Sequence, residues 1–163
     1  GTLFTQFSHF IDLLYWLIGD IKDAKAFFAN FAHKNIIEFE DTGVVIIKFY
    51  NGAIGTINYT VNSYNKNMEG SLTLFGEYGT VKIGGQYLNK IEYWDVEGFP
   101  LSEGIEFSDK PNKYGKYQGT SSNHDKVIHA IISQLKGRTH ESVDGFEGIR
   151  SIKAIELIYK DAK

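Results

Sequence analysis

The sequence has no cysteine, only two prolines and a single methionine among its 163 residues. Without cysteine there is no disulfide framework, no thiolate nucleophile and no Cys-ligated zinc. Long hydrophobic runs are missing too. The best stretch, residues 10–18, is broken by Asp12 and falls far short of the ~20 residues a bilayer span needs. No signal-peptide pattern opens the chain. An excess of positive charge is absent: 17 Lys and Arg face 20 Asp and Glu, a net charge of −3, which leaves no basic footprint for nucleic acid or an anionic membrane. Nor is there a G-x-G-x-x-G after a strand, a phosphate-binding P-loop, an H-E-x-x-H or a G-x-S-x-G. The five histidines show no metal-ligand spacing, so no metal is assigned. What is present is 42% hydrophobic and 15% aromatic residues, enough to bury one core. The expectation is a single cytoplasmic domain over residues 1–163, without nucleic-acid or membrane partners.

Three blocks follow along the chain. A short helix carries Phe10, Leu13, Leu14, Leu17 and Ile18 on one apolar face, with Ser8 as its cap and Gly19-Asp20 as its stop. Residues 21–97 read as strands. Val44-Val45-Ile46-Ile47-Lys48-Phe49-Tyr50 and Ala53-Ile54-Gly55-Thr56-Ile57-Asn58-Tyr59-Thr60-Val61 flank Asn51-Gly52, a hairpin signal for a type I′ turn with two positive φ angles. Gly76-Glu77-Tyr78-Gly79 joins a second hairpin, residues 88–96 form a further strand, and residues 24–33 the first one. Ile57, Tyr59 and Val61 alternate with Thr56, Asn58 and Thr60, so one sheet face is apolar and expects a helix layer; the other is solvated or meets a partner subunit. Residues 98–119 hold both prolines and read as a long loop. Two helices close the chain. One starts at a Ser122-Asn123-His124-Asp125 capping box, presents Val127, Ile128, Ile131, Ile132 and Leu135, and stops at Gly137; the other carries Ile149, Ile152, Ile155, Ile158 and Tyr159. The fold class is α+β, an open, mostly antiparallel sheet with helices packed on one face.

His9 and Asp12 are the leading candidates for chemistry. Three residues apart, they share one side of a helical turn, and an acid inside an apolar segment is usually paired or turned to a cleft. A histidine near a carboxylate suits proton transfer. The blander reading makes Asp12 a support of the helix start and His9 an ordinary surface residue. Asn123 and His124 begin a helix whose amides can hold an anion, and Tyr114 and Tyr117, beside Lys113 and Lys116, can pack over a sugar or lie on a solvated tip.

Residues 1–19, Gly1-Thr2-Leu3-Phe4-Thr5-Gln6-Phe7-Ser8-His9-Phe10-Ile11-Asp12-Leu13-Leu14-Tyr15-Trp16-Leu17-Ile18-Gly19, resemble the start of the C-terminal domain of Gfo/Idh/MocA oxidoreductases, with its G-x-L-x(n)-H-x-x-D-x-x-x-W-L-x-G pattern. Ser71-Leu72-Thr73-Leu74-Phe75-Gly76-Glu77-Tyr78-Gly79-Thr80-Val81 and Gly145-Phe146-Glu147-Gly148-Ile149-Arg150-Ser151 agree in order. Gln6 to Asp12 and the run Gln118-Gly119-Thr120-Ser121-Ser122-Asn123-His124 look most like the branch that oxidises nucleotide-linked amino sugars, such as UDP-N-acetylglucosamine or its uronate, at the 3-hydroxyl. The resemblance implies an oxidoreductase whose NAD or NADP is bound mainly by an N-terminal Rossmann domain, which also supplies the lysine of an E-K-P motif. It implies His9 as the catalytic histidine, Asp12 as an acid that contacts substrate or orients the site, and a homodimer or homotetramer formed through the open sheet face. With Gln6, Thr5, Asn123 and His124 of the matching segments, and Tyr114 and Tyr117 from the reading above, Asp12 makes up the expected substrate contacts. Thr5 departs from the pattern, standing where several members carry Asp. The abrupt opening at Gly1 suggests a piece of a longer protein, a processed terminus being the alternative. On this reading the chain alone has negligible activity and no cofactor-binding residues of its own. Two rival readings stay open: a non-catalytic sugar-binding or dimerisation module, and a small cone-shaped α+β isomerase or hydrolase using His9 and Asp12.

Overall fold

The computed structural model describes residues 1–102, 112–114, 117–119, 124–139, 145–160 and 162. It divides the chain into two compact units, one of Gly1–Asn62 with Val143–Lys163 and one of Ser63–Ser142.

The first unit holds a one-turn helix α1 (Thr2–Thr5), helix α2 (Ser8–Ile18), strands β1 (Ile21–Ala29), β2 (Thr42–Phe49) and β3 (Ile54–Thr60), and the closing helix, α4 in chain order (Gly145–Lys160). The strands pair antiparallel in the order β1-β2-β3. Their inner face carries Ala24 and Ala26 from β1, Val45, Ile47 and Phe49 from β2, and Tyr59 from β3, all buried against Leu3, Ile11, Ala154, Ile155 and Ile158 of the helices. The expected helix layer over one apolar sheet face is therefore present. Alanines on β1 keep that strand low where α4 crosses it, and a parallel bridge from Ala26 to Ala162 ties down the chain beyond the helix.

Several local expectations change. Ser8 is the first residue of α2, not its cap; Phe7 precedes it without a side-chain cap. The buried face of α2 is centred on Ile11, with Phe7, Leu14 and Ile18 partly buried beside it, while Leu17 is exposed. On a helix this apolar nearly all round, periodicity leaves the inward direction undetermined. Strand β1 ends at Ala29, not at residue 33, because Asp41 captures the next backbone amides (below). At Asn51-Gly52 only Gly52 has positive φ (94°), with Gly52 N–H donating to Phe49 O at 3.1 Å and Phe49 N–H to Ala53 O at 2.9 Å. This is a three-residue loop with glycine in the left-handed place, the alternative to a type I′ turn that Asn-Gly also serves. On α4 the buried face is Ser151, Ala154, Ile155 and Ile158; Ile149 and Ile152 are 42% and 49% exposed.

The second unit contains β4 (Leu72–Gly76), β5 (Gly79–Gly84) and β6 (Lys90–Val96) in an antiparallel sheet of that order, a hairpin of β7 (Asn112–Tyr114) and β8 (Tyr117–Gly119), and helix α3 (His124–Leu135). The hairpin lies where a loop was expected; three residues per strand are too few for alternation to register. Gly137 (φ 64°) ends α3 as expected, its N–H donating to Gln134 O at 2.9 Å. The apolar residues of α3 are exposed among the described residues.

Candidate active site on the first helix pair

Helices α1 and α2 carry three of the candidate residues, Thr5, His9 and Asp12, and Gln6 lies between them. The break between them falls at Gln6 and Phe7, where Gln6 N–H still donates to Thr2 O at 2.9 Å. Gln6 is exposed there. Thr5 is exposed and its hydroxyl turns back 3.5 Å from the carbonyls of Gly1 and Thr2. His9 lies in the first turn of α2, its ring centroid 4.5 Å from that of Phe10. The residue is exposed overall, and the part of the imidazole that is covered lowers its pKa from the ordinary 6.5 by desolvation. A neutral imidazole able to accept a proton is thereby favoured.

Asp12 is half-buried, and its Oδ1 accepts a hydrogen bond from Ser151 Oγ of α4 at 2.6 Å. No hydrogen bond joins His9 to Asp12 among the described residues. The acid that sequence spacing pairs with the histidine is thus tied across the helix interface, one residue from where Arg150 lies over the Tyr15 ring at 5.0 Å. Trp16, one turn on, is exposed.

The remaining candidates belong to the second unit. Tyr114 and Tyr117 are cross-strand partners in the β7–β8 hairpin, and His124 is the exposed first residue of α3. The side chains of the two tyrosines, and Asn123 altogether, lie outside the described residues.

Two buried acids, Glu40 beneath α1 and its neighbour Asp41, escaped sequence reasoning. Glu40 is 7% exposed. Its Oε1 accepts from Leu3 N–H at 3.2 Å, from Tyr59 OH of β3 at 3.1 Å and from Tyr159 OH of α4, while its own carbonyl accepts from the Thr2 hydroxyl. Tyr159 OH also accepts from Leu3 N–H at 3.2 Å. Burial pushes both phenols well above their usual range, and the nearby Glu40 charge adds to it. Asp41 next door is fully buried and accepts from Phe31 N–H at 3.1 Å, Ala32 N–H at 2.9 Å, Thr42 Oγ1 at 3.0 Å and His33 Nδ1 at 3.1 Å. Burial alone would raise its pKa, but the amide and side-chain bonds outweigh it and hold the carboxyl far below the usual range. The one available signal was Glu40-Asp41, two adjacent acids directly before an apolar strand.

The profile of the GFO/IDH/MocA C-terminal domain matches residues 1–82. The chain belongs to that family. Among solved structures, the WlbA dehydrogenase from Bordetella pertussis, in complex with NADH and UDP-GlcNAcA, is 34% identical with a TM-score of 0.78; the match covers 99% of this chain and 42% of that one. The WlbA enzyme from Chromobacterium violaceum, with the same two ligands, is 34% identical with a TM-score of 0.79, over 96% of this chain and 42% of that one. UDP-N-acetylglucosamine 3-dehydrogenase GnnA from Acidithiobacillus ferrooxidans, at 12% identity and a TM-score of 0.67 over 96% of this chain and 45% of that one, shares the fold. No curated protein sequence matches. The chain therefore spans about two fifths of the length of the GFO/IDH/MocA dehydrogenases it resembles, and its α+β architecture is that of their C-terminal domain.

Proposed function

We propose that this chain is the substrate-binding and oligomerisation part of a cytoplasmic NAD(P)-dependent dehydrogenase that oxidises a hydroxyl of a nucleotide-linked amino sugar. What carries the reading is the exposed His9 at the start of α2 in a chain of this family, its pKa lowered by partial burial so that the neutral base is available. The 34% identity to two enzymes bound to NADH and UDP-GlcNAcA supports the substrate class. A cofactor domain preceding Gly1 completes the enzyme in this reading.

Removing hydride from a sugar carbon requires that the hydroxyl proton leave at the same time. His9 takes that proton on its free ring nitrogen. Thr5 and Gln6, exposed about one turn before it, contact the sugar's other oxygens; Tyr114, Tyr117, Asn123 and His124 are carried as substrate contacts on the sequence alone. Asp12, fastened to Ser151, sets the pitch of α2 against α4 and keeps an acid beside the site. NAD(P), when bound, accepts the hydride. In this reading the cofactor's own contacts come from the further domain of the whole enzyme.

The test uses the full-length protein with NAD+ and UDP-GlcNAcA. His9→Ala is expected to lower kcat by about 10²- to 10⁴-fold, and the acid limb of the wild-type kcat/KM profile to fall below pH 6.5 and vanish in the variant. Unchanged turnover in His9→Ala would leave the second reading, a non-catalytic sugar-binding or dimerisation module. The engagement of Asp12 with Ser151 is the observation that favours it.

A further inference from the structure

The Glu40 cluster has no part in the reaction just described, yet it sits under the segment that carries His9. Glu40 is buried without a cationic partner among its hydrogen bonds. Three neutral donors, Leu3 N–H, Tyr59 OH and Tyr159 OH, converge on a single carboxylate oxygen. A buried charge held this way is costly unless all its donors stay in place, so the cluster resists small displacements of any one of them. Gly1 completes the fit: a Cβ there would collide with Tyr159 OH and the Glu40 carboxylate. Gly43 does the same from below. A Cβ on it would meet the Tyr59 ring at 2.5 Å, so only glycine lets that ring lie flat across β2 toward Glu40.

The rings transmit the arrangement upward. Phe4 of α1 stacks on Tyr159 with centroids 5.6 Å apart and planes 6° from parallel. Phe7, which immediately precedes α2, packs on Tyr59 at 4.8 Å and on Phe10 at 6.4 Å, and Phe10 touches His9 at 4.5 Å. The contacts from the carboxylate to the imidazole are continuous and lie wholly within the first unit.

We propose that Glu40, Tyr59 and Tyr159 form a positioning clamp: the carboxylate and two phenols fix the backbone of residues 1–3 and, through Phe7 and Phe10, the place of the His9 imidazole. None of the three touches substrate; they act through His9. The proposal rests on the reading of His9 as the proton acceptor, and its effect is that of a shifted reactive group, where an ångström of misplacement costs up to about 100-fold in rate.

The experiment compares wild type, Glu40→Leu, Glu40→Gln and Tyr159→Phe in the full-length protein, well below their melting temperatures. Turnover of UDP-GlcNAcA with NAD+ is read alongside ¹⁵N-histidine NMR titration of His9, whose resonance is assigned by its loss in His9→Ala. Glu40→Leu is expected to lower kcat about 10- to 100-fold with the KM for NAD+ unchanged, and to move the His9 titration toward the free imidazole value. Glu40→Gln keeps an oxygen that accepts all three donors and is expected to restore most of both; Tyr159→Phe, which removes one donor and one acceptor, should fall between. Wild-type kcat and an unmoved His9 titration in Glu40→Leu and Tyr159→Phe, whatever their melting points, overturn the clamp. Should wild type itself fail to oxidise UDP-GlcNAcA, the functional reading fails, and the His9 titration alone then decides the clamp. If Glu40→Leu does not fold, Tyr159→Phe and Glu40→Gln carry the comparison.

Discussion

At the scale of single residues, buried acids do more to shape this chain than its exposed ones. Asp41 replaces the next rungs of the β1–β2 ladder with its own carboxylate, gathering the amides of Phe31 and Ala32 and the His33 ring. Asn30 completes the loop by donating to Ile37 O and Phe39 O at 3.1 and 2.8 Å. Because the folded state depresses the Asp41 pKa below its ordinary 3.8, the stability it contributes is fully present above that pH and is lost as the pH falls through and below it. Acid unfolding of Asp41→Asn, followed by circular dichroism between pH 2 and 7, should start from a lower stability at neutral pH and show a shallower loss on the acid side; parallel curves would refute this. His9 was legible in the sequence because it belongs to a spaced pattern of unusual residue types. Glu40 was not, since what distinguishes it is the convergence of donors from residues as distant as Leu3 and Tyr159, and Asp41 was not, since its capture of the Phe31 and Ala32 amides depends on where strand β1 stops.

At the scale of elements, the longer strands and helices could be read, but the short β7–β8 hairpin and the orientation of the helices could not. Strands β2 and β3 stand where the β-branched runs flanking Asn51-Gly52 placed them, and α3 ends near Gly137. Which side of each helix faces the sheet was misread on α2 and in part on α4, for the same reason. Both helices have apolar residues on more than one side, and the buried stripe is chosen by the partner surface rather than by hydropathy. On α4 the difference is measurable. Ile158→Ala, at a fully buried position beside Val45 and Ile47 in the same core cluster, is expected to cost about 2–5 kcal/mol by urea denaturation. Ile152→Ala, at a half-exposed position, is expected to cost under about 1 kcal/mol. Equal losses would mean that α4 sits with another face against the sheet.

At the scale of the whole molecule, the outer face of the first sheet stands out. Phe27, Val44, Ile46 and Ile54 point away from the helices, and Val44 is cross-strand partner to both Phe27 and Asn58. Alternation over Thr56, Asn58 and Thr60 of β3 promised a face of Thr and Asn; Ile54 at the start of β3, with Phe27 of β1 and Val44 and Ile46 of β2, adds apolar surface to it. Contiguous apolar surface of this kind is costly to leave in water, and in the proposed function a second copy covers it. Ile46→Glu in the full-length protein is then expected to reduce the mass measured by light scattering to that of a smaller species, with the circular dichroism spectrum unchanged. A mass equal to that of wild type would remove this face from the assembly.

The sequence by itself determined the α+β class, the run of strands between flanking helices and the family, because these depend on patterns between residues near one another along the chain. Tertiary structure alone decided which helix faces go inward, that Asp12 is held by Ser151, and that Glu40 meets two tyrosines under the first helix. Each of those outcomes depends on groups far apart in sequence competing for the same few hydrogen-bond donors and the same buried volume, and that competition is resolved only when the chain has closed on itself.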